Sequence, residues 1–127
     1  MISVIILTLN EEEDLPGCLD SLKWADDIHV VDSGSNDKTI DIANNVNAKT
    51  YYNKFTGFGD QRNWSLNNCN LKYNWILFLD ADERSTPAFK DSLIFNINSA
   101  SLETIGFYLC SKTILNGSWL RYSDNFP

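Results

Sequence analysis

The chain has 127 residues, 43% of them hydrophobic, enough for one domain with a real core. Its 17 acidic side chains outnumber 10 basic ones, for a net charge of −7. That balance excludes a broad nucleic-acid surface, which needs clustered Lys and Arg, and fits a site that meets polyphosphate through a cation.

In chain order, Ile2 to Leu7 predicts a first strand. The run from Ile2 to Leu9 lacks a basic flank and is too short to span a bilayer, so no export or membrane-spanning signal is expected. A helix is expected from about Asp14, with Pro16 in its first turn and Leu15, Cys18, Leu19 and Leu22 on one face. Glu11, Glu12, Glu13 and Asp14 read as its solvated, dipole-favoured start. Asp27 to Asp32 predicts a second strand, followed by the loop Ser33-Gly34-Ser35-Asn36. Asp37 then caps a helix carrying Ile40, Ile42, Ala43 and Val46. Lys49 to Tyr52 is a short third strand, and Gly57 and Gly59 break the chain before a helix from about Asp60 to Asn68. Trp75 to Asp80 is the fourth strand, and Thr86-Pro87 starts a helix through about Asn98. Ile105 to Ile114 alternates loosely, Asn116-Gly117 signals a hairpin, and Ser118 to Tyr122 returns as a strand. Repeated strand-helix units at short intervals predict an α/β fold with a mostly parallel, doubly wound sheet, flanked by helices and followed by a C-terminal β-hairpin. Cys18, Cys69 and Cys110 are odd in number and without metal-like spacing, so reduced, mostly buried thiols of a cytosolic protein are expected.

The most informative stretch is Asn74-Trp75-Ile76-Leu77-Phe78-Leu79-Asp80-Ala81-Asp82-Glu83. Its apolar, aromatic and branched run suits a strand buried on both sheet faces, ending on carboxylates spaced i, i+2. In an extended segment those two share a side. Two hard oxygen ligands and little else suit a divalent ion that also holds phosphate, Mg²⁺ or Mn²⁺. Parallel strands bring Thr8, Asn10, Asp32, Asp80 and Asp82 to one edge, the carboxyl ends where open α/β sheets bind ligands. There Asp32 can accept from a base N–H or a ribose hydroxyl, and Arg62 offers a forked donor to the same ligand.

Ser3-Val4-Ile5-Ile6-Leu7-Thr8-Leu9-Asn10-Glu11, with Val31-Asp32-Ser33-Gly34-Ser35-Asn36-Asp37 and Leu79-Asp80-Ala81-Asp82-Glu83, resembles glycosyltransferase family 2, a mostly inverting family of GT-A fold. Gly57-Phe58-Gly59-Asp60-Gln61-Arg62-Asn63-Trp64, and Asn116-Gly117 with Trp119-Leu120-Arg121, resemble its lipopolysaccharide core β-glucosyltransferase branch. The resemblance covers nearly the whole chain, residues 1–127, as the nucleotide-sugar-binding part of that domain. It implies Thr8 and Asn10 lining the nucleotide pocket, Asp32 on uracil or ribose, and Arg62 on the nucleotide or its phosphates. It further implies Asp80 against the ribose and the metal shell, and Asp82 as the direct ligand of Mg²⁺ or Mn²⁺. The implied donor is a UDP-hexose, the acceptor a glycan or lipid-linked sugar of the cell envelope. The implied location is cytoplasmic, with peripheral attachment at the inner membrane face as an option. In the family the catalytic base is a carboxylate of the second half of the domain. That residue is expected beyond residue 127, so the chain resembles a truncated form, and self-association or a partner supplying the second half is an expectation.

Blander roles stand beside these. Asp32, Asp37 and Asp82 also suit turns and helix caps, Arg62 a solvated helix surface, and His29 ordinary packing inside a strand. Trp24, Trp64, Trp75 and Trp119 suit packing, with Trp119 also placed for sugar stacking after the hairpin turn. Rival functions fit less well. A phosphotransfer receiver would phosphorylate Asp32 and need a basic residue at a later strand end, where only Lys112 offers itself in a hairpin context. A haloacid-dehalogenase-type phosphatase wants Thr or Val where Arg84 stands. A dinucleotide-binding dehydrogenase wants a Gly-x-Gly-x-x-Gly that follows no strand here. A non-catalytic nucleotide-sugar-binding fragment of the same fold remains a consistent alternative.

Overall fold

Strands β1 (Ser3–Thr8), β2 (Ile28–Asp32), β3 (Lys49–Tyr52) and β4 (Ile76–Asp80) form one all-parallel sheet in the order β3-β2-β1-β4. The structure is a computed structural model and describes residues 1–120. The chain winds outward from β1 through β2 to β3, then crosses back to place β4 on the other side of β1. That reversal makes the carboxyl end of β1 the topological switch point, the region where open α/β sheets bind their ligands. The register sets Thr8 opposite Asp32 and Leu7 opposite Asp80.

Helix placement follows from the winding. α1 (Leu15–Ser21), α2 (Thr39–Asn45) and α4 (Pro87–Ser99) cover one face, and α3 (Phe58–Asn68) the other. Right-handed crossovers put helices on opposite faces when strand order reverses. The first face packs Val4, Ile6, Val30, Leu77 and Leu79 against Leu15, Cys18, Leu19 and Leu22 from α1 and its end, Ala43 and Leu93. The second packs Ile5 and Val31 against Cys69, with Leu7, Trp64, Ile76 and Phe78 half-buried around them. Central β1 is therefore buried on both sides from Ser3 to Ile6. Each fully buried Leu or Ile contributes roughly 1.5–3 kcal/mol.

Several expectations need correction. β4 is fully buried on one face only, because Ile76 and Phe78 meet the thinner α3 layer and stay half-exposed. The acidic run 11–14 forms the solvated turn that leads into α1, as expected: Leu15 N–H bonds Glu11 C=O and Cys18 N–H bonds Asp14 C=O, and α1 begins at Leu15. Val46 falls at the end of α2 and is exposed. α3 starts at Phe58, two residues early, with Gly57 before it. Residues 105–113 form no strand, and the returning strand shrinks to Ser118–Trp119 (β6), paired with Ile114–Leu115 (β5). Arg121 and Tyr122 lie outside the described residues. The turn itself is as expected, with Asn116 at φ 49° and Gly117 at φ 77°, the positive pair a two-residue hairpin demands. Cys18 and Cys69 are buried free thiols, pushed by burial to about 12 and about 11, whereas Cys110 is exposed.

The opposite edge of the sheet is closed by a polar knot. Asp27, buried just before β2, accepts from Ser3 Oγ (2.5 Å), Lys49 Nζ (2.7 Å) and the Lys72 amide (2.9 Å). Fully buried His29 sets Nε2 3.0 Å from Asp27 Oδ2, without the alignment of a hydrogen bond, and Nδ1 3.3 Å from the Tyr51 hydroxyl. His29 is thus a packed strand residue remote from the carboxyl edge, as its place inside a strand suggests.

Candidate functional site

Two loops are stitched together at the carboxyl ends of β1 and β2. Thr8 closes β1 and its hydroxyl donates to Asp32 Oδ1 at 2.9 Å. Asn10 takes a φ of 57°, a region Asn tolerates better than most residues. Its amide then donates to Ser35 Oγ (2.8 Å) while its Oδ1 accepts from the Asn36 amide (2.9 Å). Farther along, the Glu11 amide donates to Thr39 Oγ1, the Glu12 amide to Asp37 Oδ2, and the Lys38 amide back to Glu12 Oε2. Asp37 also accepts from the Thr39 amide in a turn just ahead of α2; the N-cap position itself falls on Lys38 and carries no side-chain cap bond, one residue beyond the expected cap.

Asp32 organises this lattice. Its Oδ1 accepts from the Thr8 and Ser35 hydroxyls, its Oδ2 from the Gly34 and Ser35 amides at 2.8 and 2.7 Å. A carboxylate has about four acceptor positions, so all are in use. Burial pushes its pKa up, but the Ser35, Gly34 and Thr8 donors outweigh that and hold it below the usual carboxylate range. Gly34 at φ 110° supplies the backbone this turn requires.

On the other side of β1, β4 ends on half-exposed Asp80. Asp82 lies past the strand in a turn, so strand alternation no longer sets its direction, contrary to the i, i+2 expectation. The turn is closed by the Glu83 amide on Asp80 C=O (3.0 Å) and by Glu83 Oε2 accepting from the Asp80 amide (2.9 Å). From the other sheet face α3 delivers Arg62, whose Nη2 stands 3.7 Å from Asp80 Oδ1.

The site carries excess negative charge. Partial burial, then the charges of Asp14, Asp82, Asp37 and Asp80, hold the Glu11 carboxyl above its ordinary value. Among the described residues no three side chains converge as a ready metal cage. Two accessible carboxylates in a net acidic field, only partly offset by Arg62 and Arg84, fit an ion such as Mg²⁺ or Mn²⁺, which keeps waters and takes phosphate oxygens as further ligands.

Sequence reasoning missed Gln61. Its side chain is buried, with Oε1 accepting from Asn53 Nδ2 (2.6 Å) and Nε2 donating to Asn53 C=O (3.1 Å) and Ser33 Oγ (3.2 Å). It therefore joins α3, next to Arg62, to the loop that follows Asp32. A polar residue beside Arg62 in a Gly-bounded segment was the available signal. Ser35 and Glu11 were missed as site residues too; Ser and Glu are too common in loops and helix starts to stand out. Lys112 and Trp119 are not brought to the contacts above; the ammonium lies over the indole at 4.5 Å in the C-terminal segment.

Loops gathered at the carboxyl edge of a parallel sheet define an α/β class of protein that binds its ligands there. Residues 3–111 match the family described as Glycosyl transferase family 2, and the chain belongs to that family. It is 31% identical over 121 residues to the lipopolysaccharide core biosynthesis glycosyltransferase LpsC of Rhizobium meliloti, covering 91% of this chain and 44% of that protein. It is 37% identical over 93 residues to an uncharacterized glycosyltransferase of Rickettsia bellii, covering 72% of this chain and 31% of that one. The chain thus spans less than half the length of these relatives. The fold is similar to glucosyl-3-phosphoglycerate synthase from Mycobacterium tuberculosis in complex with UDP (TM-score 0.63, 26% identity, 79% of this chain and 40% of that one). Another structure of that synthase, holding Mn²⁺, UDP and glucosyl-3-phosphoglycerate, is similar at TM-score 0.60 and 26% identity, over 76% of this chain and 39% of that one. These neighbours share the GT-A fold. Among the described residues no helix is long and apolar enough to cross a membrane.

Proposed function

We propose that this chain is the donor-binding part of an inverting glycosyltransferase that moves a hexose from a UDP-sugar to a glycan or lipid-linked acceptor in envelope polysaccharide synthesis. The observation that carries the proposal is that the sheet register brings the Thr8–Asp32 lattice and the Asp80–Asp82 turn to one edge of the sheet, in a chain of this family. The UDP and Mn²⁺ in the synthase structures support a UDP-linked donor and a divalent ion. The LpsC relative supports lipopolysaccharide core synthesis as the setting.

In this proposal Thr8 and Asn10 form the pocket wall and Asp32 holds that wall in shape beside the uracil or ribose. Asp82 ligates Mg²⁺ or Mn²⁺ directly, with Asp80 in its shell beside the ribose. When bound, the ion supplies Lewis-acid charge to the departing diphosphate. Arg62 adds a forked cation on the phosphates and neutralises Asp80 until the donor arrives. No residue of this chain is assigned as the base that takes the acceptor hydroxyl's proton.

Calorimetric titration of UDP and UDP-glucose, with and without Mn²⁺, tests the proposal on this chain and on Asp82→Ala. Metal-dependent binding that the substitution abolishes is expected. A folded wild-type chain that binds neither ligand would sink the donor-site assignment.

A further inference from the structure

Arg84 has no part in the donor contacts above, yet its guanidinium is spent on the main chain around them. Nη1 donates to Ala81 C=O (3.0 Å) and Glu83 C=O (2.9 Å), so it spans the residues on either side of Asp82. Nη2 donates to Asp14 C=O (3.0 Å) and lies 3.6 Å from Asp14 Oδ1. One planar side chain thereby ties the acidic turn to the loop leading into α1. Gly17 leaves it the room: a Cβ there would fall 2.7 Å from both Nε and Nη2. The far end of the segment is anchored separately, by the Ser85 amide on Ser21 Oγ (3.0 Å) and Trp24 Nε1 on Ser85 Oγ (3.1 Å). Losing the Arg84 ties would therefore release the turn from the loop ahead of α1 without detaching α4, leaving only the Glu83–Asp80 bonds to hold its shape.

We propose that Arg84 is the positioning residue of the metal-binding turn, fixing Asp82 relative to the Asn10–Asp14 loop, with Gly17 as the socket for its guanidinium. The inference rests on the cation site proposed above. An Asp82 carboxylate on a loose turn would have to be ordered anew each time the ion bound. Lys keeps the charge of Arg but is a single point donor and cannot bridge three carbonyls in a fixed plane. Partners that orient metal ligands typically contribute about 10–100-fold to metal affinity.

The test compares wild type, Arg84→Lys and Gly17→Ala by two readouts. The first is amide hydrogen exchange at Asp82 and Glu83 by NMR without metal; the second is Mn²⁺ affinity in the presence of UDP. Ala is the better helix former, so Gly17→Ala leaves α1 at least as stable while its Cβ displaces the flexible guanidinium. Both variants are expected to exchange faster at the turn and to bind Mn²⁺ about 10-fold or more weakly, with unchanged melting temperature. Unchanged exchange overturns the inference, and so does faster exchange with wild-type Mn²⁺ affinity. A wild-type chain that binds no Mn²⁺ removes the cation site itself and the inference with it, an outcome distinct from variants that match a binding wild type.

Discussion

Arg62 Nη2 stands 3.7 Å from Asp80 Oδ1 while the same guanidinium lies 5.9 and 5.8 Å from the ring centres of Phe58 and Phe78. The two rings belong to different elements, α3 and β4, so the arginine is held beside Asp80 by packing as well as charge. Such preorganisation lowers the entropy lost when a phosphate is bound. Arg62→Ala is expected to weaken UDP binding about tenfold, a loss of about 1.4 kcal/mol. Arg62→Lys should recover only part of it, because the stacked plane and the fork are both gone. Titration calorimetry at fixed Mn²⁺ measures this; equal affinities for all three proteins would remove Arg62 from the site.

Gln61 makes a stability prediction that also reaches the ligand. Gln61→Leu keeps the side chain's bulk but strands the groups it satisfied on Asn53 and Ser33. The expected cost is about 1–3 kcal/mol in urea unfolding. UDP affinity should fall as well, although Gln61 is assigned no ligand contact, because Arg62 and the Ser33–Ser35 loop lose their common brace.

Acid should unlock the far edge of the sheet. Burial works to raise the Asp27 pKa, but Lys49, Ser3, His29 and the Lys72 amide more than offset it and leave the carboxyl well below the usual range. A depressed folded-state value contributes stability that is present above the unfolded-state value, about 4, and is lost as pH falls through the folded one. Wild type should therefore lose stability progressively below pH ~4. Asp27→Asn should be weaker at pH 7 by about 1–3 kcal/mol and show a shallower acid slope. Urea melts at neutral pH and near pH 3 compare the two; parallel slopes would show that Asp27 does not drive the transition.

Leu15 is the first apolar residue of α1 and fully buried against the sheet. Leu15→Ala is expected to cost about 2–5 kcal/mol, the spread reflecting how far α1 can settle into the gap. A shifted urea midpoint with an unchanged slope is the signature to look for.

The sheet was legible because its signals are dense: apolar runs ending on Asp at Asp32 and Asp80, and a cap-then-proline start at Thr86-Pro87, where Thr86 does accept from the Phe89 amide. Leu15, Cys18, Leu19 and Leu22 on one face of α1 were readable from spacing alone. The gathering of Thr8, Asn10 and Asp32 followed from parallel topology. Their internal hydrogen bonds did not, because side-chain pairing between loops leaves no periodicity in the sequence. The acidic run at 11–14 was readable as a helix start, but not that the Glu11 and Glu12 amides are taken by the Thr39 and Asp37 side chains across the two loops. The C-terminal alternation misled, since residues 105–113 have the composition of a strand but are not part of one.

β1 is flanked by β2 on one side and by β4 on the other, and β4 arrives late in the chain. During synthesis β1 can pair with β2 as soon as Asp32 has emerged, while its other edge waits more than forty residues for Ile76–Asp80. The nascent chain thus carries an open, apolar strand edge through that interval, the kind of surface that recruits chaperones or stray strands. The last strand to dock is also the one that brings the acidic turn, so a chain able to bind is one whose central strand is no longer exposed.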